Sequence, residues 1–149
     1  MKKISLLLIT FSISSLLLAQ KALTKRRQTV QQTVIKMFEA LSNRDSVSLK
    51  LYCTSDILLF ENGQVWNIDT LIKKAILLNT AVDFRRTNDF DFINTEVNEN
   101  TAWVSYNLQS VKTTNGKQGF VQWMETVVLV KEKRLWKIKV LHSTLIKRG

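Results

Sequence analysis

The 149-residue chain contains no proline, a single cysteine and a single histidine. Without proline there are no cis-proline turns and no polyproline linkers, so turns fall to glycine and asparagine. Cys53 alone cannot close an internal disulfide, and the domain must be held by its core. Set in "LKLYCTSD" between apolar residues, its thiol reads as a small buried hydrophobe rather than a nucleophile. One histidine, one cysteine and scattered carboxylates offer no ligand spacing, so neither a metal nor a cofactor is expected.

What is present is one domain's worth of chain with enough apolar residues, 45%, to bury a core. The first segment stands apart. A basic "MKK", the run "ISLLLITFSISSLLLA" diluted by Ser and Thr, and Ala19 as a small cleavage residue read as a secretory signal peptide. The run is short for a bilayer span. The expected division is therefore 1–19 signal peptide and 20–149 mature domain, exported to the periplasm or outside a bacterial cell, with no membrane span once the signal is removed. The formal charge of +10 is spread over "KALTKRR", "IKK", "FRR", "KEKR", "KIK" and "IKR". It is not gathered on one helix or interleaved with aromatics, which argues for a solvated basic surface and against nucleic acid.

Val30, Val34, Phe38 and Leu41, with Met37 beside them, recur at helical spacing. "SNRDS" then breaks the helix, and Asp45 or Ser46 is placed to cap a second, shorter one through "VSLKLYC". "DILLFENGQVWNI" is a hairpin on Asn62-Gly63. "NIDTLIKKAILLN" is a third helix with Asn67 or Asp69 as its cap. From Asp83 onward come four strand-like segments, broken at 98–100, at Asn115-Gly116 and at Glu132-Lys133. Helices first and an antiparallel meander last is an α+β order, with the helices packed on one face of a curved sheet.

The stretches "FEALSNRDSVSLKLYCTSDILLFENG", "NENTAWVSYNL" and "KEKRLWKIKVLHST" resemble the NTF2-like superfamily, also called SnoaL-like or cystatin-like, and within it the bacterial DUF4440-like proteins. In those, a helix gives way to an asparagine–aspartate turn, and the last strand ends in a tryptophan, a lysine and a histidine–serine pair. The likeness spans the mature chain. It implies a cone-shaped pocket between the helices and the concave sheet face, and commonly a homodimer formed through the outer sheet face. Function does not follow from it, because the superfamily holds enzymes, binding modules and proteins without known activity.

If Asn115-Gly116 is a two-residue loop, Tyr106 lies opposite Glu125, Leu108 opposite Trp123 and Val104 opposite Val127. If Glu132-Lys133 is another, Val140 lies opposite Glu125 and His142 opposite Trp123. Both registers put Ala102, Val104, Tyr106, Leu108, Trp123, Glu125, Trp136, Ile138, Val140 and His142 on one apolar face. Its polar exceptions, Tyr106, Glu125 and His142, then converge. As an active site they would make an acid–base pair of Glu125 and His142 with Tyr106 donating to an oxyanion. Apolar surroundings raise the Glu125 pKa and a protonated His142 lowers it, so either form is open. As a binding site, Trp123, Trp66, Tyr106 and His142 would line a pocket for a small apolar or amphipathic molecule. As a structural cluster they would only satisfy one another inside a closed cone. A non-catalytic binding module is the favoured reading, with the enzyme and the closed, dimerising protein as alternatives. Trp103 and Met124, on the reverse face, are the expected dimer contact. Which of Arg85 and Arg86 points inward depends on the length of the loop at 98–100.

Overall fold

The structure, a computed structural model, describes residues 2–149, with side chains from Gln20 onward. The expected signal peptide therefore lies outside the fully described residues. Helix α1 (Lys2–Ser42) turns Val30, Val34, Met37, Phe38 and Leu41 into the core, each no more than 5% exposed. Asp45 closes the next helix, α2 (Ser46–Tyr52), by accepting from the Val47 and Ser48 backbone N–H groups. This satisfies two of the four donors that a helix start leaves open.

Strands β1 (Cys53–Glu61) and β2 (Gln64–Trp66) form the Asn62-Gly63 hairpin, both turn residues at positive φ as a mirror-image two-residue turn requires. Asn67 caps α3 (Ile68–Ile72), which widens into a π-helical segment, Lys73–Leu77. Strands β3 (Arg85–Val97), β4 (Thr101–Thr114), β5 (Lys117–Glu132) and β6 (Leu135–Arg148) complete a six-stranded sheet in the order β2-β1-β6-β5-β4-β3. All neighbours are antiparallel except β1 and β6, which run parallel. The helices lie on the concave face, and α1 with β1, β4, β5 and β6 supplies most of the buried core.

The β4–β5 register is the expected one: Tyr106 pairs with Glu125, Leu108 with Trp123 and Val104 with Val127. The β5–β6 register is not. The turn falls on Lys133-Arg134, both at positive φ, so Glu132 pairs with Leu135. This two-residue displacement alone would leave every side chain on its expected face, because the pleat repeats every two residues. A β-bulge then intervenes. Leu129 pairs with Ile138 while Val128 pairs with Val140, leaving Lys139 as an extra residue. Beyond it the faces exchange, so Leu141 and Ser143 are buried and His142 is exposed on the outer face beside Phe60. The expected placement of Val140 and His142 on the inner face is thereby overturned.

Two further bulges act in the same way. Ile93 is skipped between the pairs Phe92–Tyr106 and Asn94–Ser105, and Ile146 between Trp123–Leu145 and Gln122–Lys147. The first sets Arg86 opposite inward-facing Lys112, and the second sets Arg148 opposite buried Val121. An extra residue in one strand re-aims every side chain after it. Which arginine of the pair faces inward is thus decided by Ile93 together with the loop.

Candidate functional site

Between α1, α3 with its π-helical extension, and the concave sheet lies a cavity of about 240 Å³. Its apolar wall includes Met37 and Phe38 from α1, Leu59 from β1, Trp123 from β5 and Leu141 from β6. Trp66 and Lys74 stand at one side, the ammonium 4.2 Å from the centre of the indole and both bonded to Gln64 Oε1. The cone is therefore not packed shut, contrary to the closed-cone alternative.

Glu125 reaches the cavity from the middle of β5 and is only 4% exposed. The partner expected for it was His142; the partner found is Ser143, whose hydroxyl donates to Glu125 Oε1 at 2.6 Å. This exchange follows directly from the Lys139 bulge, which presents residue 143 in place of 142. Beyond the Tyr106 phenol, Glu125 Oε2 has no hydrogen-bond partner in the protein. Burial pushes the Glu125 pKa up to about 7, against the lowering effect of Ser143, Tyr106 and Arg86. A carboxyl in this condition changes protonation near neutrality, with one oxygen tethered to Ser143 and the other shut off from solvent.

Tyr106 is fully buried opposite Glu125, and burial together with the carboxylate raises its phenol well above the usual value. The phenol lies close enough to act on the carboxyl by hydrogen bonding as well as by charge, and Tyr106 Oη and Glu125 Oε2, both shut off from solvent, have no other partner. The Tyr106 ring is held in an aromatic cluster with Phe90 at 5.5 Å, Phe92 at 5.8 Å and Phe38 at 6.4 Å between ring centres. Such packing fixes a ring by its edges and faces and leaves little freedom for the hydroxyl to swing.

The basic side of the cavity was only partly foreseen. Arg86 donates to Asn88 Oδ1 and Ser110 Oγ, and its guanidinium sits 5.2 Å from the Phe38 ring centre and 5.9 Å from that of Trp123. Burial lowers its pKa to about 10. Lys112 lies 5.5 Å from the Trp123 ring centre, its pKa lowered to about 8 by burial and by Arg86. Arg148 completes the group. Lys112 shares the parity of Tyr106 and Leu108 along β4 and could have been found from the alternation. Ser143 could not, since it depends on a bulge with no sequence signature, whereas Arg148 keeps the parity of Trp136 and Ile138 because the bulges at Lys139 and Ile146 cancel.

The other predicted positions divide cleanly. Trp123 and Trp66 line the cavity together with Glu125. Trp103 and Met124 are 40% and 49% exposed on the outer face of the sheet. Among the described residues no three His, Cys, Asp or Glu side chains gather into a cation cage.

No protein-family model matches the chain, and no curated protein does either. Solved structures do. An NTF2-like protein from Cytophaga hutchinsonii is 19% identical and superimposes with a TM-score of 0.68 over 80% of this chain and 98% of its own. A hexachlorocyclohexane dehydrochlorinase from Novosphingobium barchaimii is 11% identical, with a TM-score of 0.68 over 85% and 90%. The association domain of C. elegans CaMKII is 18% identical, with a TM-score of 0.65 over 83% and 98%. An enzyme and an assembly domain therefore share this architecture, and identities this low speak to the fold alone. The helix order, the strand order and these superpositions agree: the chain adopts the NTF2-like α+β cone fold.

Proposed function

We propose that the protein is an exported binding module that holds a small, largely apolar or amphipathic molecule in its cone. The observation that carries this reading is the cavity itself, open between the helices and the sheet, with an apolar wall of Met37, Phe38, Leu59, Trp123 and Leu141 and charged side chains set into it. At about 240 Å³ the space is below the usual range for drug-sized ligands, roughly 300 Å³ and upward, which suits a single ring or a short chain. In thermal unfolding, single-ring aromatics and short-chain aliphatics are expected to raise the melting temperature of the wild type. They should lose that effect on Ala75→Phe, which fills the cavity from its wall. If no compound in such a panel protects the wild type, the reading fails.

A second reading is supported by the Glu125 carboxyl itself, whose pKa near 7 suits proton transfer at neutral pH. Glu125 would take or return a proton on a bound substrate, with Tyr106 next to it as a hydrogen-bond donor. His142, exposed on the outer face, has no part in this chemistry. Glu125→Gln separates the two readings: a binding module keeps its ligand, whereas an acid–base enzyme loses turnover and retains binding.

We also propose a homodimer through the outer sheet face. Trp103 and Met124 are its centre, and exposed apolar side chains of this size on a sheet face suit a partner surface. Trp103→Asp is expected to convert the dimer to monomer in sedimentation equilibrium without altering the far-UV spectrum. A wild type that sediments as a monomer at tens of micromolar would remove this proposal.

A further inference from the structure

The charges around the cavity are unequal. Lys74, Arg86, Lys112 and Arg148 meet only Glu61 and Glu125 there. The ion pairs among the described residues are Arg27–Glu96, Lys36–Glu39, Lys137–Glu132 and Lys139–Asp56, and none of them includes a cavity residue. Arg86 is held by neutral partners alone, an amide oxygen and a hydroxyl, and these engage Nε and Nη2 while Nη1 has no protein acceptor. Glu125 and Glu61 act on it only through space, and a guanidinium largely withdrawn from water with no carboxylate bonded to it is costly, while its planar fork suits one. Two aromatic rings fix its plane, so little freedom is lost when an anion arrives.

We propose that the occupant of the cone is a small carboxylate on an apolar body, its anionic group shared between Arg86 and Lys112 and its body lying on Phe38 and Trp123. This rests on the reading of the cone as a binding site and specifies which chemistry that site selects. Glu125 fits the same arrangement. In its protonated form Oε1 still accepts from Ser143, and the carboxyl sets no second negative charge beside the ligand's own.

A linkage follows from this geometry. Glu125 is faced by Tyr106 from β4, Arg86 from β3, and Glu61 from β1, with Lys112 and Arg148 on the neighbouring wall and Lys74 across from them. A bound anion favours the protonated carboxyl, so binding takes up a proton and weakens as pH rises through about 7.

Titration calorimetry with matched pairs, benzoate against benzamide and hexanoate against hexanamide, tests the assignment at pH 6 and pH 8. In the wild type each carboxylate is expected to bind at least tenfold tighter than its amide at pH 6, with a smaller advantage at pH 8. Arg86→Gln should bring the ratio close to one while leaving amide affinity in place, and Arg86→Lys should restore part of it. Lys112→Gln gives a milder loss and serves where Arg86→Gln does not fold. Equal binding of acid and amide overturns the carboxylate assignment and leaves the cone-binding reading standing. Binding of neither member of any pair overturns both. Inorganic phosphate competing as strongly as benzoate overturns the requirement for an apolar body. A carboxylate preference that survives in both Arg86→Gln and Lys112→Gln overturns the choice of residues.

Discussion

Glu125→Gln is expected to make the protein more stable above neutral pH and to remove a pH dependence that the wild type carries between about pH 4.5 and pH 7. Unfolded, the carboxyl titrates near its ordinary 4.5; folded, burial holds it at about 7. Between those values the native state keeps a proton that the unfolded state has released. Each unit of rising pH therefore subtracts up to about 1.4 kcal/mol from this residue's contribution, roughly 3 kcal/mol across the window. Below 4.5 the contribution is fully present, and above 7 the loss is complete. Asp45, Asp56 and Asp83 act in the opposite sense, because hydrogen bonds hold their pKa values down, and stability linked to them is lost on acidification. Only the difference between wild type and variant isolates Glu125. Urea midpoints at pH 5, 6, 7 and 8 measure it, since glutamine still accepts from Ser143 without ionising. Parallel curves for the two proteins across that range would show that the carboxyl is not buried in a neutral form.

Inserting one alanine between Val140 and Leu141 is expected to unfold the protein or come close to it. The added residue takes the place opposite Val127 and moves every later residue of β6 on by one, which sends Leu141 and Ser143 outward and draws His142 and Thr144 inward. Loss of a buried leucine forfeits about 2 kcal/mol. An imidazole forced into the core without a partner costs roughly 1–3 kcal/mol more. The Ser143–Glu125 hydrogen bond disappears as well. Against a typical domain stability of about 5–15 kcal/mol, the sum takes most of what is available. Deletion of Lys139 is the control, since it makes Ile138 and Val140 neighbours, leaves Leu141 opposite Val127 and Ser143 opposite Glu125, and removes only the bulge and the surface contact with Asp56. An insertion variant whose urea midpoint matches that of the deletion would mean that the strand takes up the added residue in a larger bulge at little cost, and that the register is not pinned there.

The same bulge marks the boundary of what could be read from the residues. Helices α1 and α2, the Asn62-Gly63 hairpin and the β4–β5 ladder were legible because each carries a local signal: helical spacing of apolar residues, a capping aspartate, or an asparagine–glycine pair tolerant of positive φ. The convergence of Tyr106, Glu125 and Trp123 followed from that ladder. The turn at Lys133-Arg134 has neither glycine nor asparagine, although both residues adopt positive φ, so its position was invisible. The extra residues at Ile93, Lys139 and Ile146 look like ordinary members of their strands. Yet they decide that Arg86 and Ser143 belong to the cavity side and that the histidine does not. Chemistry concentrates where alternation breaks, and alternation is the only rule that a strand announces in its sequence.

The parallel seam between β1 and β6 has a consequence for assembly. The meander β3–β4–β5 closes through short turns and can pair as soon as it is synthesised, whereas Leu58 must wait for Val140. Long-range closures of this kind slow folding. The hairpin that walls one side of the cavity thus spends the whole of translation after its own synthesis without its sheet neighbour, with Ile57 and Leu59, both buried in the finished fold, unsheltered, and it is then that a chaperone has the most to hold.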